Sequence, residues 1–408
     1  MKISLSKESF TKFSIAFFMV TFIGMYYGEY LHFVWIGYML MAAAVIFNYN
    51  SHKLCGRFGW QYIAYTVIFL LWGYVSFLWT YDEAASASYL FQTVKVAALA
   101  ILLTLLLNNL ERVKFSLLWF CIGCIIFALL YLNHVDIATL AAGRIRAEST
   151  SGNSLPNYNL VSMYAAFAGV YFMGRIVGNT YEKKSAKVVF AVLMIIAAVS
   201  VFIFGSRKSI LMLILGFGYF VVGSGKINSR IKLILIGVLA LIVAAILLPD
   251  EYVDYVLSRF GGLFENKSSR LEAGDKERVD LLEYGLRFIE ESPLLGHGYY
   301  SFAPMYASYR GAFLYAHNNY IELIADLGIV GLFIFYYPVY VVFRTGLKYR
   351  RYSSFISAAF VLNLLNIFGG FFIVTFIDRT IWILMAILWV GVKLNKKCYR
   401  RQNHIIIS

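Results

Sequence analysis

Charge, proline, cysteine and histidine are all scarce in this 408-residue chain, and each scarcity excludes something. Charged residues make up 14% of it against 61% hydrophobic residues, and many apolar runs reach the roughly 20 residues a helix needs to cross a bilayer. With five prolines in the whole chain, little interrupts those runs as helices. The runs are continuously apolar rather than alternating, which excludes an amphipathic β-barrel and leaves helices as the spanning element. Of four cysteines, Cys121 and Cys124 form a C-x-x-C inside an apolar run with no flanking ligands, which reads as packing rather than redox or metal chemistry. Cys55 and Cys398 fall on the reducing side, and the outer loops hold none, so no disulfide is expected to brace them. The six histidines are scattered without metal-ligand spacing, so no metal is expected. No Walker A motif, nucleotide fold or Ser-His-Asp order is visible, so no cofactor is expected and energy must come from a substrate or a gradient.

What is present is a polytopic all-α membrane protein. The expected spans are twelve, at about 13–28, 32–47, 60–79, 88–107, 115–132, 158–177, 188–204, 208–223, 232–248, 318–343, 354–375 and 380–394. Residues 1–408 are expected to form one integral membrane domain. The net charge of +14 would suit nucleic acid, but its distribution points elsewhere. With the N-terminus inside, the cytoplasmic segments collect 23 of 36 basic residues and only three of 22 acids, Glu8, Glu111 and Glu182. The positive-inside rule then puts both termini in the cytoplasm, and no nucleic-acid partner is expected. The first apolar run lacks a small-residue cleavage site and is expected to stay as an anchor.

Two connections are long, and both fall outside. The first, about 133–157, carries Arg144, Arg146 and a turn-like stretch ending in Asn157. The second, 249–317 between the ninth and tenth spans, is the largest polar region, and residues 276–291 within it read as an amphipathic helix with Val279, Leu282, Leu286 and Ile289 on its apolar face. Ser292-Pro293 ends that helix, Gly296-His297-Gly298 follows as a flexible turn, and Pro338 is expected to kink the tenth span.

Chemistry-bearing residues gather on the outer side. Arg207 and Lys208 sit in a connection of a few residues and open the eighth span, where free N–H groups and the helix dipole favour an anion such as a pyrophosphate. The plainer alternative is snorkelling to lipid headgroups. His317 stands where the long loop meets the tenth span, and a helix N-terminus keeps a neutral imidazole available as a base. The plainer alternative there is an interfacial histidine bonded to a carbonyl. Glu322 and Asp326 follow on the same helix, at offsets that do not face His317. His297, between two glycines, is a further histidine that the fold could bring close to it. Gly328 and Gly331 are expected to allow close helix packing.

Taken in order, these pieces resemble the O-antigen ligase and polymerase superfamily of bacterial envelope glycosyltransferases. His317-Asn318, nine residues, then Gly328-Ile329-Val330-Gly331 is similar to that family's H-[NSQ]-x9-G-x-x-[GTY] signature. Arg207-Lys208-Ser209-Ile210-Leu211 resembles its R-x3-L element, and Arg278 precedes a helix running to Pro293 as in the family's large outer loop. The resemblance is clearest over about 200–340. It implies transfer of a glycan from an undecaprenyl-pyrophosphate-linked oligosaccharide to a sugar hydroxyl on the outer face of the cytoplasmic membrane. It implies His317 as base, with Arg207 and Arg278 neutralising the leaving pyrophosphate. Lys208, Asn318, Arg310, Arg144, Arg146 and Asn157 are then candidates to hold glycan or phosphate, and a chain-length regulator is a candidate partner. The second cation after Arg207 resembles the polymerase variants more than the ligases. The rival class, a flippase or twelve-span carrier, fits less well. The middle connection at 178–187 is short, and Lys95 is the one clear basic residue within a span.

Overall fold

Long apolar runs with few breakers fold here as helices, as their composition dictates. The computed structural model describes residues 6–24, 31–49, 55–134, 157–178, 183–223, 227–247 and 273–407. Among these residues there is no strand. In chain order the helices are α1 (Lys7–Gly24), α2 (Leu31–Tyr49), α3 (Arg57–Val75) with a 3-10 turn at Ser76–Trp79, α4 (Glu83–Leu106) and α5 (Leu110–His134). They continue with α6 (Tyr158–Gly178), α7 (Lys184–Phe204), α8 (Arg207–Gly223), α9 (Ile227–Leu247) and α10 (Ala273–Glu291). The last four are α11 (Phe302–Arg310), α12 (Asn319–Tyr349), α13 (Ser354–Gly369) and α14 (Arg379–Ile407).

Each expected span overlaps a helix, though the one expected at 354–375 runs past the end of its helix at Gly369 and residues 25–28 of the first lie outside the described residues. Seven helices among the described residues are long and apolar enough to cross a membrane: α2, α3 with its 3-10 turn, α4, α5, α6, α7 and α12. The other five expected spans fall short of that measure for local reasons. In α1 and α14 charged residues crowd one end (Lys7, Glu8 and Lys12; Lys393, Lys396 and Lys397). In α9 the side chains are described over Leu233–Val243, part of an apolar sequence that continues to Leu248, and α8 and α13 are 17 and 16 residues long.

Two compact units make up the chain. The first comprises residues 1–47, 114–266 and 346–365. At its centre α6 is buried on all sides from Val161 to Gly174, as an all-round apolar helix should be, and packs on α7 and α8. Close approach of α6 and α8 depends on small residues. A Cβ on Gly169 would meet Leu213 at 2.9 Å, one on Gly174 would meet Phe220 at 2.8 Å, and one on Gly216 would run into Val170.

The second unit comprises residues 48–113, 267–345 and 366–408. In it α3, α4 and α14 pack together, and α12 is broken. The break is at Gly328 (φ 68°, ψ −178°), while Pro338, the expected kink, lies within the helical stretch that follows. Proline has no N–H for the Ile334 carbonyl, and the Tyr65 hydroxyl donates to that carbonyl at 2.6 Å instead. At Gly328 the exposed backbone groups are met by the segment after α10. His297 N–H donates to the Ala325 carbonyl and Gly298 N–H to the Asp326 carbonyl, both at 2.8 Å. Trp72 Nε1–H donates to the Leu327 carbonyl at 3.1 Å. Beyond the break, Ile329 N–H donates to the Pro293 carbonyl at 2.9 Å and Val330 N–H to the Leu294 carbonyl at 3.4 Å. Each such group left bare in an apolar interior costs about 1–3 kcal/mol, so a broken helix persists only where protein supplies partners. Gly328 therefore does more than permit close packing: its positive φ and the Leu294 carbonyl against its α-carbon both exclude a side chain.

The helix expected at 276–291 is present as α10, and it packs on protein through a second face beside the apolar one expected to lie on the membrane or cap a cavity. Leu281 and Phe288 are fully buried, with Tyr284 and Ile289 packed beside them, whereas Val279, Leu282 and Leu286 are exposed. Both sets recur at helical spacing, and the aromatic one wins because Phe302, Met305 and Tyr306 of α11 fill in against it.

Candidate active site

The segment 311–318 joins α11 to α12 within the second unit, and the sequence locks it at both ends. Gly311 ends α11 in the left-handed conformation (φ 70°). At the other end Asn318 caps α12: its Oδ1 accepts from Tyr320 N–H at 2.9 Å and Ile321 N–H at 3.2 Å. The adjoining Asn319 is fully buried and binds in three directions. Its Oδ1 accepts from Thr375 N–H at 2.6 Å and Phe376 N–H at 2.9 Å, its Nδ2 donates to the Tyr336 hydroxyl at 2.8 Å, and its N–H donates to the Gly370 carbonyl at 2.7 Å. The connection before α14 is thereby tied to the start of α12.

His317 lies between these anchors in a left-handed backbone conformation (φ 53°). For a residue with a Cβ that conformation costs about 1–2 kcal/mol, which the surroundings must offset. Its ring lies half-exposed, 4.0 Å from the Tyr315 ring centroid at 44°. The preceding Ala316 is buried in the cluster formed by Leu281, Phe288, Phe302, Met305 and Tyr306, and its N–H donates to Glu322 Oε2 at 2.6 Å.

A second non-glycine residue of positive φ, Tyr300 (φ 59°), sits in the segment that meets the break in α12. Its ring stacks on Tyr89 at 3.3 Å and 14°, and burial first, then the neighbouring Tyr89, pushes its phenol well above the ordinary tyrosine range. Around it runs a network of hydroxyls. Ser86 Oγ–H donates to the Tyr299 carbonyl at 2.6 Å, Ser301 Oγ–H to the His297 carbonyl at 2.7 Å, and the Tyr299 hydroxyl meets Thr93 Oγ1 at 2.7 Å. Asp326 Oδ1 accepts from Phe302 N–H at 2.7 Å, holding the start of α11. Strained residues so over-determined by their surroundings are a feature of functional sites.

The remaining expected site residues lie as follows. Arg207 and Lys208 belong to the first unit and open α8, as expected. The turn before them is built by Gly205, left-handed at φ 57°, and by Ser206, whose carbonyl accepts from Ser209 and Ile210 N–H at 3.0 Å. Arg207 is half-buried, and its side chain makes no hydrogen bond or ion pair among the described residues. Arg278 is exposed on α10. Arg310 is held by Asp280 at 2.6 Å and lies over the Tyr284 ring, and that carboxylate raises its pKa further. A phosphate at Arg310 would have to share it with Asp280. Asn157 is exposed and its Oδ1 accepts from Asn159 N–H at 2.9 Å at the start of α6, so, like Asn318, it is a cap. Arg144 and Arg146 lie outside the described residues. His297 is bonded through Nε2 to the Phe288 carbonyl at 2.8 Å, closing the end of α10.

Sequence reasoning passed over Asn319, Tyr300 and the local role of Glu322. A run of two asparagines directly before an apolar helix was the available signal, since one of them had to be the cap and the other was then free for tertiary bonds.

The helices and the histidine-bearing junction at the start of a broken helix define a multi-pass helical membrane protein. Residues 191–336 match the family model described as O-antigen ligase, a stretch that holds Arg207, Lys208, Arg278, Arg310, His317 and Asn318. That match supports the O-antigen ligase/polymerase superfamily, whose members are glycosyltransferase-like membrane enzymes. No curated protein matches the chain.

Proposed function

We propose that this protein is a membrane glycosyltransferase that polymerises oligosaccharide repeat units carried on undecaprenyl pyrophosphate. It works on the outer face of the bacterial cytoplasmic membrane, with both termini inside and twelve spans in one integral membrane domain, and the 249–317 loop lies outside. The observation that carries the reading is the half-exposed His317, held in a left-handed conformation one residue before an Asn-capped helix, inside the stretch that matches the family model.

In the reaction His317 accepts the proton of the acceptor sugar hydroxyl. That oxygen attacks the anomeric carbon of the donor glycan, and the bond from that carbon to the pyrophosphate oxygen breaks with its electron pair leaving on undecaprenyl pyrophosphate. Arg207 and Arg278 stabilise the charge that grows on the leaving group. Lys208 and Arg310 assist in holding phosphate or glycan. Pyrophosphate departs readily once neutralised, so neither metal nor nucleotide takes part. A ligase transferring the whole glycan to lipid A–core uses the same donor and the same residues and is the second reading, equally consistent with the match to the family model. A pure flippase would form no glycosidic bond.

The test is glycan transfer by purified protein from a polyprenyl-pyrophosphate donor, without ATP or a gradient. His317→Ala, Arg207→Ala and Arg278→Ala are each expected to abolish product while the protein still inserts, and Lys208→Ala to weaken it less. Near wild-type transfer by His317→Ala would overturn the assignment of the base.

A further inference from the structure

The reaction needs His317 held still, and the residue that does so is not adjacent in sequence. We propose that Glu322 is the positioning residue of the candidate base His317; this rests on the function proposed above. Helical side chains lean toward the helix N-terminus, so Glu322, in the first turns of α12, reaches back over the helix start to the chain that enters it. There Oε2 accepts Ala316 N–H at 2.6 Å, one residue before His317. The carboxylate is fully buried, whereas the imidazole is half-exposed, so an incoming hydroxyl has access to His317 and none to Glu322.

The hydrogen bond acts on the joint that matters. His317 adopts its left-handed backbone only while the peptides on both sides are fixed. Asn318 fixes the following side through its cap on Tyr320 and Ile321. Ala316 fixes the preceding side twice, through its side chain in the α10–α11 cluster and through its N–H on Glu322. With the Glu322 bond removed, the segment is free to relax toward negative φ, and the imidazole swings away from the position set by Tyr315. A misplacement of about 1 Å at a base lowers a rate on the order of a hundredfold while leaving substrate affinity alone. The second oxygen, Oε1, is buried without a hydrogen-bond partner, so a single acceptor atom does the positioning.

The experiment measures kcat and KM for purified Glu322→Ala, Glu322→Gln and His317→Ala. The donor is lipid-linked glycan extracted from the host deleted for this gene. Glu322→Ala is expected to lose about 10- to 100-fold in kcat with KM within about twofold of wild type. Glu322→Gln keeps a carbonyl acceptor for Ala316 N–H and is expected to recover to within about fivefold of wild type, with the pH–rate profile in its original place. Three results overturn the inference while leaving the base intact: unchanged kcat in Glu322→Ala, a loss confined to KM, or Glu322→Gln as inactive as Glu322→Ala. A moved profile in Glu322→Gln, or loss of folded protein in both variants, overturns it as well. Full activity in His317→Ala identifies failure of the underlying reading instead.

Discussion

His317 carries the chemistry proposed for this protein, and its neighbours show how tightly a single residue is specified. Asn318 and Asn157 both stood as candidates to hold substrate, and both have their side-chain oxygen on a helix N-terminus. For Asn318 that role is measurable. Asn318→Ala removes the acceptor from Tyr320 and Ile321 N–H and is expected to destabilise the protein by about 1 kcal/mol. Thermal unfolding in detergent checks this, with Asn318→Asp retaining the cap and the midpoint. An unchanged midpoint in Asn318→Ala would show that the cap contributes nothing. Arg207 and Arg310 form an instructive contrast. Arg207 makes no ion pair among the described residues, whereas Arg310 already has Asp280 at 2.6 Å.

At the scale of elements, the broken helix α12 is the feature on which the site depends. The segment from Pro293 to Gly298 supplies or receives four of the backbone bonds that close the break. The same segment leads through the strained Tyr300 into α11, which packs on Ala316. A side chain at Gly328 would meet the Leu294 carbonyl and stand at a φ of 68°. Gly328→Ala is therefore expected to destabilise by several kcal/mol, roughly the sum of a left-handed penalty and lost hydrogen bonds. Its transfer activity should fall even where the protein is recovered folded, because the break orients the piece of α12 that His317 precedes. A Gly328→Ala protein with wild-type unfolding and activity would show that α12 tolerates a continuous helix. Gly331→Ala, by contrast, tests packing alone, since its added methyl meets Leu327 and, at 3.3 Å, Trp72 Nε1.

For the whole molecule, the question is which acceptor the transferred glycan meets. Deleting the gene in its host and running surface and lipid-linked polysaccharide on a gel separates the readings. Surface glycan reduced to a single repeat, or capsule lost while short lipid-linked units accumulate, is the expected result and identifies a polymerase. Full-length polymer stranded on its lipid carrier, with bare core outside, would identify a ligase and overturn the polymerase reading.

What the sequence determined by itself was the class of protein and the stretch that matches the family model. Hydropathy is a property of contiguous residues, so helices appear where apolar runs of sufficient length occur, and each expected span overlaps one. The His317–Gly331 spacing and the Arg207 turn are equally local, and the stretch that contains them matches the family model. Tertiary structure decided the rest, because it depended on pairings between residues far apart in the chain. Which apolar face of α10 is buried followed from the aromatics of α11, and the position of the break in α12 followed from a backbone segment some thirty residues earlier that satisfies its bare carbonyls and N–H groups. The link from Glu322 to His317 was hidden for the same reason. It runs through the N–H of Ala316, and a helical offset describes side chains on one helix, not a carboxylate reaching back to the loop that precedes it.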